Sequence, residues 1–372
     1  MKVLMVSKAC VMGIYQTKLE ELARFPDIDL AVVVPPYWKE KGHRIELERS
    51  HTEGYELIVE YMALNGHFHL HFYPGLRTHV RRLQPDILHI DEEPYNLATF
   101  HATRLALAAG ARPLFFTWQN LFRRYPFPFG WFEQHNYRHA AHAIAGNHEG
   151  VDVLRAKGYQ GPISVIPQFG VDPDTFKPGA RRESTDSQSF RIGYVGRLVE
   201  EKGVDLLLEA AASLPGDWRL SILGEGPFKG YLGRHSKELG LAGKVSFEKP
   251  LPSSKMPDYY RHLDVLVLPS RTRPNWKEQF GRVLVEAMAS GTPVIGSRCG
   301  EIPNVVDEAG LLFPEDDAGA LAAQLKLLMT DRDERGRLAS LGRRRVLQEY
   351  TQRKIAKDTR EGYLKVMGLH GD

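Results

Sequence analysis

Two glutamates have the type and spacing to bind hydroxyl groups. Glu278 and Glu286 lie in PSRTRPNWKEQFGRVLVEAMASGTPVIGS, residues 269–297, which has the pattern of a buried strand, a polar loop, a helix and a second strand. Carboxylates accept hydrogen bonds from neighbouring hydroxyls, so one glutamate could hold a sugar ring and the other a ribose. Glutamate is also common in helices that have no function, and two glutamates on a surface helix would explain the same residues.

The predicted start of this helix offers an anion site between the two carboxylates. The helix is expected to begin near Phe280 or Gly281, which places Glu278 just before it and Glu286 about two turns inside it. The N–H groups of residues 280–283 have no acceptor within the helix, and they carry the positive end of its dipole. A phosphate could therefore dock at this position.

A second cluster carries positive charge. In GYVGRLVEEKGVDLLLEA, Arg197 follows a predicted strand and Lys202 precedes a helix predicted from near Val204. Open α/β sheets bind ligands at the carboxyl ends of their strands, and an arginine and a lysine fixed there match the charge of a pyrophosphate. Two solvated cations beside Glu200 and Glu201 are the alternative interpretation.

The elements around these residues alternate between strands and helices. Short apolar runs such as KVLMVS, DLAVVVPP and RIGYVG are separated by amphipathic segments in both halves of the chain. Such runs are typical of parallel strands covered by helices on both faces. The fold class is therefore predicted to be α/β, with two doubly wound, Rossmann-like domains.

A segment rich in Pro, Asp, Ser and charge, residues 169–190, separates the two halves and is predicted to be a linker. The first domain is predicted over residues 1–170 and the second over 171–351, with regular elements resuming near Arg191. A final helix, 352–372, is long enough to pack back against the first domain.

Composition excludes several classes of protein. The formal net charge of +3 is too small for a dedicated nucleic-acid binder. The two cysteines, Cys10 and Cys299, are far apart, which argues against a disulfide framework and suits a reducing cytoplasm. No apolar stretch approaches the roughly 20 residues that span a bilayer, so any membrane contact is expected to be peripheral.

In these motifs the chain resembles the family-4 glycosyltransferases, which are retaining enzymes of the GT-B architecture with two Rossmann-like domains facing each other across a central cleft. The strongest part is the pair Glu278 and Glu286, separated by seven residues and followed by GTPVIGS. GYVGRLVEEKG, LGEGP at 223–227 and GLLFPEDD support it. The resemblance implies that the first domain faces the acceptor and that the second binds the nucleotide sugar.

The family's pattern also implies roles for single residues. Arg197 and Lys202 would hold the donor diphosphate, Glu286 the nucleotide ribose and Glu278 a hydroxyl of the donor sugar; Arg197, Lys202 and Glu278 are the implied catalytic residues. The other implied donor-binding residues are Gly13, Gln119, Gly224, Leu251, Phe280, Gly281 and Arg282. Leu251, together with Lys249 and Pro250, would contact the base through its backbone.

Two features of the first domain depart from the family. The loop after the first strand offers Gly13 as the close-approach glycine, but it is less glycine-rich than in many relatives. Many relatives place a histidine where Gln119 follows Trp118, and glutamine cannot carry a proton. The resemblance therefore implies that Gln119 orients a sugar hydroxyl, with Asp91 as a further candidate contact.

The resemblance implies front-face transfer, with retention, of a hexosyl unit from a nucleotide diphosphate sugar to a saccharide or lipid-linked acceptor, in cell-surface glycan or glycolipid biosynthesis. No cofactor or metal is expected besides the donor, and no nucleic-acid partner. A sugar-nucleotide epimerase of the same architecture and a non-catalytic nucleotide-sugar-binding subunit are the alternatives. A dinucleotide dehydrogenase is disfavoured, because the first loop lacks the G-x-G-x-x-G spacing.

Three aspartate pairs and one histidine run could suggest metal ligation. The aspartate pairs have the spacing used by metal-dependent transferases of another fold, but aspartate is favoured in turns and helix starts anyway. The histidines alternate along a predicted strand without a supporting carboxylate, so metal binding is disfavoured there too. These residues are Asp27 with Asp29, Asp172 with Asp174, Asp331 with Asp333, and His67, His69 and His71.

The segment NLFRRYPFPFGWFEQHNYRHAAH, residues 120–142, mixes aromatic residues with Arg123, Arg124 and Arg138. It is interpreted either as a loop facing the acceptor or an anionic membrane, or as a proline-rich loop that packs its aromatics on a neighbour. The cysteine usage places the protein in the cytoplasm, and the first interpretation adds peripheral contact with the inner face of the plasma membrane.

Overall fold

The computed structural model describes residues 1–40, 42–179 and 189–369. The chain forms two compact units, which we call unit 1 (Met1–Gly170 with the segment from Gln352) and unit 2 (Val171–Thr351). Of the predicted linker, residues 180–188 lie outside the described residues, as do residues 370–372 of the predicted final helix.

Unit 1 is an α/β layer structure. Its strands are β1 (Lys2–Val6), β2 (Asp29–Val34), β3 (Tyr37–Glu40), β4 (His43–Glu46), β5 (Glu56–Val59), β6 (Ile87–Ile90), β7 (Arg112–Thr117), β8 (His142–Ala145) and β9 (Ile163–Val165). Its first helices are α1 (Gly13–Ala23), α2 (Leu76–Leu83), α3 (Leu97–Ala108), α4 (Phe129–His139) and α5 (His148–Ala156). Seven strands form a parallel sheet in the order β5-β2-β1-β6-β7-β8-β9, while β3 and β4 pair as an antiparallel ribbon.

The apolar runs of unit 1 are strands because both faces of the sheet are covered. Along β1, Val3 and Met5 join a core cluster with α1, whereas Leu4 and Val6 join a cluster with α2 and α3. Successive side chains of a strand point to opposite faces, so a strand buried on both faces is apolar at every position.

Unit 2 repeats this plan. Its strands are β10 (Phe190–Val195), β11 (Trp218–Leu223), β12 (Val245–Glu248), β13 (Val265–Leu268), β14 (Val294–Ser297) and β15 (Leu311–Phe313). Its helices are α6 (Val204–Ala212), α7 (Lys229–Glu238), α8 (Met256–Arg261), α9 (Arg282–Ala289), α10 (Ile302–Val306), α11 (Ala318–Thr330) and α12 (Arg332–Glu349). The sheet is parallel, in the order β12-β11-β10-β13-β14-β15.

The last helix, α13 (Gln352–Met367), belongs to unit 1 although it follows unit 2 in the chain. Ile355, Ala356 and Tyr363 pack into the same core cluster as Leu19 and Leu22 of α1. Burial of this apolar face attaches the C-terminal segment to unit 1.

The strand predicted at the histidine run is wrong. Residues 67–71 form turns between β5 and α2, so His67, His69 and His71 do not alternate on one face. His67 is exposed, whereas His71 is buried beside Glu92, with 3.5 Å between His71 Nε2 and Glu92 Oε1. Long-range contacts of the polar neighbours, such as Asn65 with the Tyr37 carbonyl, favour turns over the strand that local alternation suggests.

Candidate functional site

In unit 2, the order of the strands locates a ligand site. The chain runs from β10 outward to β12 and then crosses to β13 on the other side of β10. At such a switch point the loops at the carboxyl ends of two adjacent strands diverge and leave a crevice. The loop after β10 contains Arg197 and Lys202, and the loop after β13 contains Glu278 and Gly281.

The two loops are held close together by backbone contacts. The N–H of Arg271 donates to the carbonyl of Glu201 at 2.9 Å. Gly203, with a φ of 65°, leaves so little space that a Cβ would lie 2.0 Å from the Pro269 carbonyl oxygen. A glycine is therefore needed at this position both for its backbone conformation and for the close approach.

Lys202 and Glu278 form a direct ion pair. Lys202 Nζ lies 2.5 Å from Glu278 Oε2, and Ser270 Oγ donates to the same oxygen at 2.8 Å. The side chains are only 14% and 11% exposed, and the ammonium lies 4.8 Å from the centre of the Trp276 ring. Limited access to water strengthens electrostatic interactions here relative to an exposed pair. The structure thus brings together Lys202, which is predicted to bind the phosphate, and Glu278, which is predicted to bind the sugar.

Helix α9 begins beside this pair. Gly281 precedes it with a φ of 77°, a conformation that favours glycine, and is the residue before Arg282. The first N–H groups of a helix lack intrahelical acceptors and carry the positive end of its dipole, so the start of α9 favours a nearby anion. The predicted helix start is therefore found where an anion could meet Lys202.

Glu286 is less deep in α9 than predicted. It is the fifth residue of the helix, just over one turn from the start rather than about two, because α9 begins at Arg282. The Tyr260 hydroxyl donates to Oε2 and Arg282 Nε to Oε1, both at 2.8 Å. Burial and the neighbouring Glu286 raise the pKa of Tyr260 well above its usual value, which keeps this phenol a donor.

The guanidinium of Arg197 extends toward Glu201. Its side chain is 57% exposed and lies 3.5 Å from Glu201, one turn along the chain. The Tyr194 hydroxyl donates to the Arg197 carbonyl at 2.9 Å and holds its backbone. Among the contacts of the described residues, none joins Arg197 to Lys202 or Glu278. The structure therefore places Arg197 in the correct loop but not against the ion pair.

Gly224 and Leu251 follow the neighbouring strands. A Cβ on Gly224 would lie 1.9 Å from the Gly196 carbonyl oxygen, so this glycine lets the loops after β10 and β11 touch. Strand β12 ends at Glu248. Leu251 lies beyond it and is partly buried against the core of unit 2.

Several residues at this site were not predicted from the sequence. Ser270 is the second residue after the buried strand β13, which was an available signal. Tyr260 lies on α8, and only the fold brings it to Glu286. Gly300, with a φ of 54°, packs so tightly that a Cβ would lie 2.1 Å from the Glu278 carbonyl oxygen. That oxygen also accepts a hydrogen bond from the Glu301 N–H at 3.1 Å. Gly300 and Glu301 therefore both hold the backbone of Glu278 in position.

In unit 1, Gly13 is not in a loop as predicted but is the first residue of α1. Its N–H donates to Glu48 Oε2 at 2.7 Å, and a Cβ on it would lie 2.5 Å from Ser50 Oγ. The close approach at Gly13 is therefore made by the segment 48–50 of the same unit. Sequence reasoning missed this contact because 35 residues separate Gly13 from Glu48.

Gln119 lies at the carboxyl end of β7 within a buried polar network. Its amide nitrogen donates to Glu133 Oε1 at 3.2 Å, and Lys157 Nζ donates to its oxygen at 2.7 Å. Lys157 also donates to Glu133 at 2.7 Å, and burial lowers the pKa of this lysine. Both ends of the Gln119 amide are thus engaged within unit 1.

Asp91 lies at the switch point of the unit 1 sheet, between β1 and β6. It is buried and accepts a hydrogen bond of 2.6 Å from Ser7 Oγ. The next residue, Glu92, is paired with Lys8. Burial raises the pKa of Glu92, but Lys8 and His71 outweigh it and lower this pKa to about 2. Lys8 and Glu92 were not predicted, although each is the second residue after a buried strand. Lys8 follows β1 and Ser7, and Glu92 follows β6 and Asp91.

Within residues 1–40, 42–179 and 189–369, no three His, Cys, Asp or Glu side chains are grouped so that they could hold a metal ion. Over the same residues, none of the helices has the length and apolar character needed to cross a bilayer.

Known proteins resemble this chain over both units. Residues 179–345 match the family model described as glycosyl transferases group 1, and residues 19–175 match glycosyltransferase family 4. A solved structure of HepE from Anabaena in complex with UDP has a TM-score of 0.74 at 19% identity, covering 98% of this chain and 100% of that one. This likeness shows the fold, which is the GT-B architecture of two Rossmann-like domains.

Two curated relatives match at higher identity. A D-inositol 3-phosphate glycosyltransferase of Corynebacterium urealyticum is 34% identical over 213 residues, which are 52% of this chain and 47% of the relative. A GDP-mannose-dependent alpha-(1-6)-phosphatidylinositol monomannoside mannosyltransferase of Mycolicibacterium smegmatis is 30% identical over 208 residues, 52% of this chain and 54% of the relative. The matched region is about half the length of these relatives. Together with the two family models, these matches show that unit 2 is similar to the group 1 glycosyltransferases and unit 1 to glycosyltransferase family 4.

Proposed function

We propose that the protein is a retaining glycosyltransferase. It moves a hexosyl unit from a nucleotide diphosphate sugar to a saccharide or lipid-linked acceptor, in the synthesis of cell-surface glycans or glycolipids. The observation that carries this proposal is the contact of Lys202 with Glu278 beside the start of α9. A cation for phosphate, a carboxylate for sugar hydroxyls and a helix start for an anion meet at one switch point.

Each residue of the site has a proposed role. Lys202 and the α9 start bind the diphosphate, and Arg197 reaches it by rotating its exposed side chain away from Glu201. Glu278 accepts a hydroxyl of the donor sugar. Glu286 accepts the ribose hydroxyls on its remaining lone pairs, while the hydrogen bonds from Tyr260 and Arg282 hold its carboxylate in place.

The backbones around Phe280, Gly281 and Arg282 line the sugar and phosphate pocket. Gly224 and Leu251 lie on the nucleotide side, and the backbone of Leu251 contacts the base. Donor contacts of Gly13 and Gln119 stay predictions.

The reaction breaks the bond between the anomeric carbon and the diphosphate. Negative charge grows on the departing phosphate, and Lys202, Arg197 and the α9 start stabilise it without a metal ion or cofactor. On the face from which the diphosphate departs, the acceptor oxygen bonds to the anomeric carbon and its proton passes to the departing phosphate oxygen, so the anomeric configuration is retained and no protein nucleophile is needed.

The named activities of relatives support the choice of donor and acceptor. The mycobacterial relative is described as GDP-mannose-dependent, and the HepE structures contain UDP or UDP-glucose. One relative acts on inositol 3-phosphate and another on a phosphatidylinositol mannoside. The buried thiols of Cys10 and Cys299 suit a cytoplasmic location, which gives access to nucleotide sugars.

Thermal-shift titration with UDP, GDP and their hexose conjugates tests the donor class. A donor at 100 times its dissociation constant should stabilise the protein by about 2.7 kcal/mol. Lys202→Met should remove most of this shift, whereas Lys326→Met on the exposed side of α11 should leave it unchanged. A flat response of the wild type to every nucleotide would contradict the proposal.

A further inference from the structure

One face of unit 1 combines exposed aromatic side chains with arginines. We call it the α2–α4 face and define it by Arg77, Arg81, Arg104, Phe127 and Trp131. Phe127 is 85% exposed and Trp131 51% exposed, and all three arginines are exposed. Large apolar side chains exposed to water in this way usually mark an interaction surface.

Trp131 and Arg104 of this face both lie near one aromatic ring of α3. The Trp131 ring on α4 lies 4.8 Å from the Phe100 ring on α3. The Arg104 guanidinium lies 5.7 Å from that same Phe100 ring, and Leu107, one turn further along α3, is exposed. Apolar side chains and a cation therefore share the outer side of α3.

Arginines also line two depressions between α2 and α3. The depressions have volumes of about 340 and 360 Å³, and Arg77 lines both. Arg81 lines the first and Arg104 the second, while Leu105 and Ala108 are part of both. Each depression thus has an apolar wall and a cationic rim, a combination suited to an anionic head group attached to an acyl chain.

The charge of the three helices is strongly one-sided. The sequences of α2, α3 and α4 contain five arginines, and their one acidic residue is Glu133. Glu133 is buried and paired with Lys157, so it does not offset the surface charge. Within the ranges that the structure describes, Arg77, Arg81 and Arg104 have no ion-pair partner. The chain as a whole has a formal charge of only +3, so this positive charge is a local feature.

We infer that the α2–α4 face docks the protein onto a bilayer that contains anionic lipids. Arginines near a negatively charged membrane surface attract it electrostatically, and tryptophan and phenylalanine insert at the level of the head groups. The face shares Phe127 and Trp131 with the interface predicted at residues 120–142. Its arginines differ from those of the prediction, because Arg77, Arg81 and Arg104 lie on α2 and α3. The inference is independent of the donor site in unit 2.

Vesicle flotation of the full chain tests the inference. Vesicles of phosphatidylcholine with 30 mol% phosphatidylglycerol, at about 50 mM salt, are compared with vesicles of phosphatidylcholine alone. We expect the wild type to float with the anionic vesicles only and to be released by about 0.5 M salt, since screening weakens attraction between exposed charges.

Two triple variants with the same net charge separate local from overall electrostatics. Arg77→Glu/Arg81→Glu/Arg104→Glu should lower partitioning at least on the order of a hundredfold, because the loss of each arginine costs about fivefold and each added glutamate is repelled. The matched control, Arg234→Glu/Arg332→Glu/Arg344→Glu, changes three exposed arginines of unit 2 and should partition much more strongly than the first variant. Trp131→Ser keeps the charge and should weaken binding by removing an inserted ring. If the Glu triple variant fails to fold, Arg77→Gln/Arg81→Gln/Arg104→Gln replaces it.

Three results would overturn the inference. One is absence of wild-type flotation with anionic vesicles, and another is equal loss in the two triple variants. The third is a concentration-dependent dimer, seen by sedimentation equilibrium, that the α2–α4 triple variant abolishes while vesicle binding is unaffected. That last result would assign the face to a second copy of the chain instead.

Discussion

At the residue scale, the site in unit 2 pairs opposite charges directly. Lys202 is the partner of Glu278, and Arg282 is the partner of Glu286. A diphosphate offers Lys202 a second anion, which would leave Glu278 able to accept a hydroxyl from the attached sugar. Because the Lys202–Glu278 pair is partly withdrawn from water, removal of one member leaves the other without its counter-ion.

This pairing predicts non-additive effects on stability. Lys202→Met and Glu278→Leu should each destabilise unit 2 by about 1–3 kcal/mol. The double variant should lose less stability than the sum of the two single losses, because neither charge of the pair then remains without the other. Urea-induced unfolding followed by hydrogen exchange in β10 measures these values. Strictly additive effects would show that the pair is not coupled.

The Tyr260 hydroxyl predicts a second effect, on nucleotide binding. Tyr260→Phe removes the donor to Glu286 and should weaken the affinity for a nucleoside diphosphate by about fivefold, because a typical hydrogen bond contributes about 1 kcal/mol. Tyr259→Phe is the matched control, since its hydroxyl bonds to Ser221 instead. Calorimetric titration compares the two variants, and similar losses in both would contradict the role given to Tyr260.

At the scale of elements, glycines set how closely the loops of unit 2 approach. Gly203 permits contact between the loops after β10 and β13, and Gly300 permits contact with the backbone of Glu278. Both have positive φ, so a side chain would add backbone strain to the steric conflict. The position of the Glu278 carboxylate therefore depends on a residue outside the ion pair.

Gly300→Ala is accordingly predicted to impair transfer. The added methyl group would displace the Glu278 backbone, and turnover should fall at least about tenfold, since small misplacements of positioning groups reduce rates strongly. Gly336→Ala on α12 is the control, because a Cβ there meets nothing within 4 Å. Steady-state kinetics and a melting curve for each variant separate misplacement from unfolding. Unchanged turnover in Gly300→Ala would show that the position of Glu278 does not depend on Gly300.

The helix start at Gly281 is the part of the site that sequence reasoning predicts best, because strand, loop and helix lie within 29 consecutive residues. The fold class is predicted equally well, since buried parallel strands are apolar at every position. The strand assigned to His67–His71, the loop assigned to Gly13 and the depth of Glu286 are wrong. The first two depend on contacts with segments distant in the chain, such as Asn65 with Tyr37 and Gly13 with Glu48, which local pattern does not contain.

At the scale of the whole molecule, the chain returns to unit 1 through α13. Tyr363 is fully buried, and its hydroxyl lies 2.7 Å from His89 Nδ1 on β6. Burial lowers the pKa of His89 to about 3; the nearby Asp91 raises it, and Lys18 and His142 lower it further. His89 is therefore neutral in the folded protein at neutral pH.

This lowered pKa predicts a pH dependence for unit 1. The unfolded chain binds a proton at His89 near pH 6.5, whereas the folded chain does so only near pH 3. The stability from this residue is thus present above about pH 6.5 and is lost as the pH falls, by about 1.4 kcal/mol per pH unit. Between about pH 6 and 4.5, His89→Gln should reduce the slope of the free energy of unfolding against pH by about 1.4 kcal/mol per pH unit. Hydrogen exchange of β6 amides reports it, and an unchanged slope would contradict the assignment.

The most direct test of the central claim is a donor-cleavage assay with Glu278→Gln. The wild type is incubated with labelled nucleotide diphosphate hexoses and an acceptor mixture, and nucleoside diphosphate and glycosylated product are quantified. The account predicts turnover of a donor by the wild type and by the exposed-site control Glu308→Gln. Glu278→Gln should bind the nucleotide but turn over about 10²–10³-fold more slowly. Cleavage of no donor by the wild type, or full activity of Glu278→Gln, would contradict it.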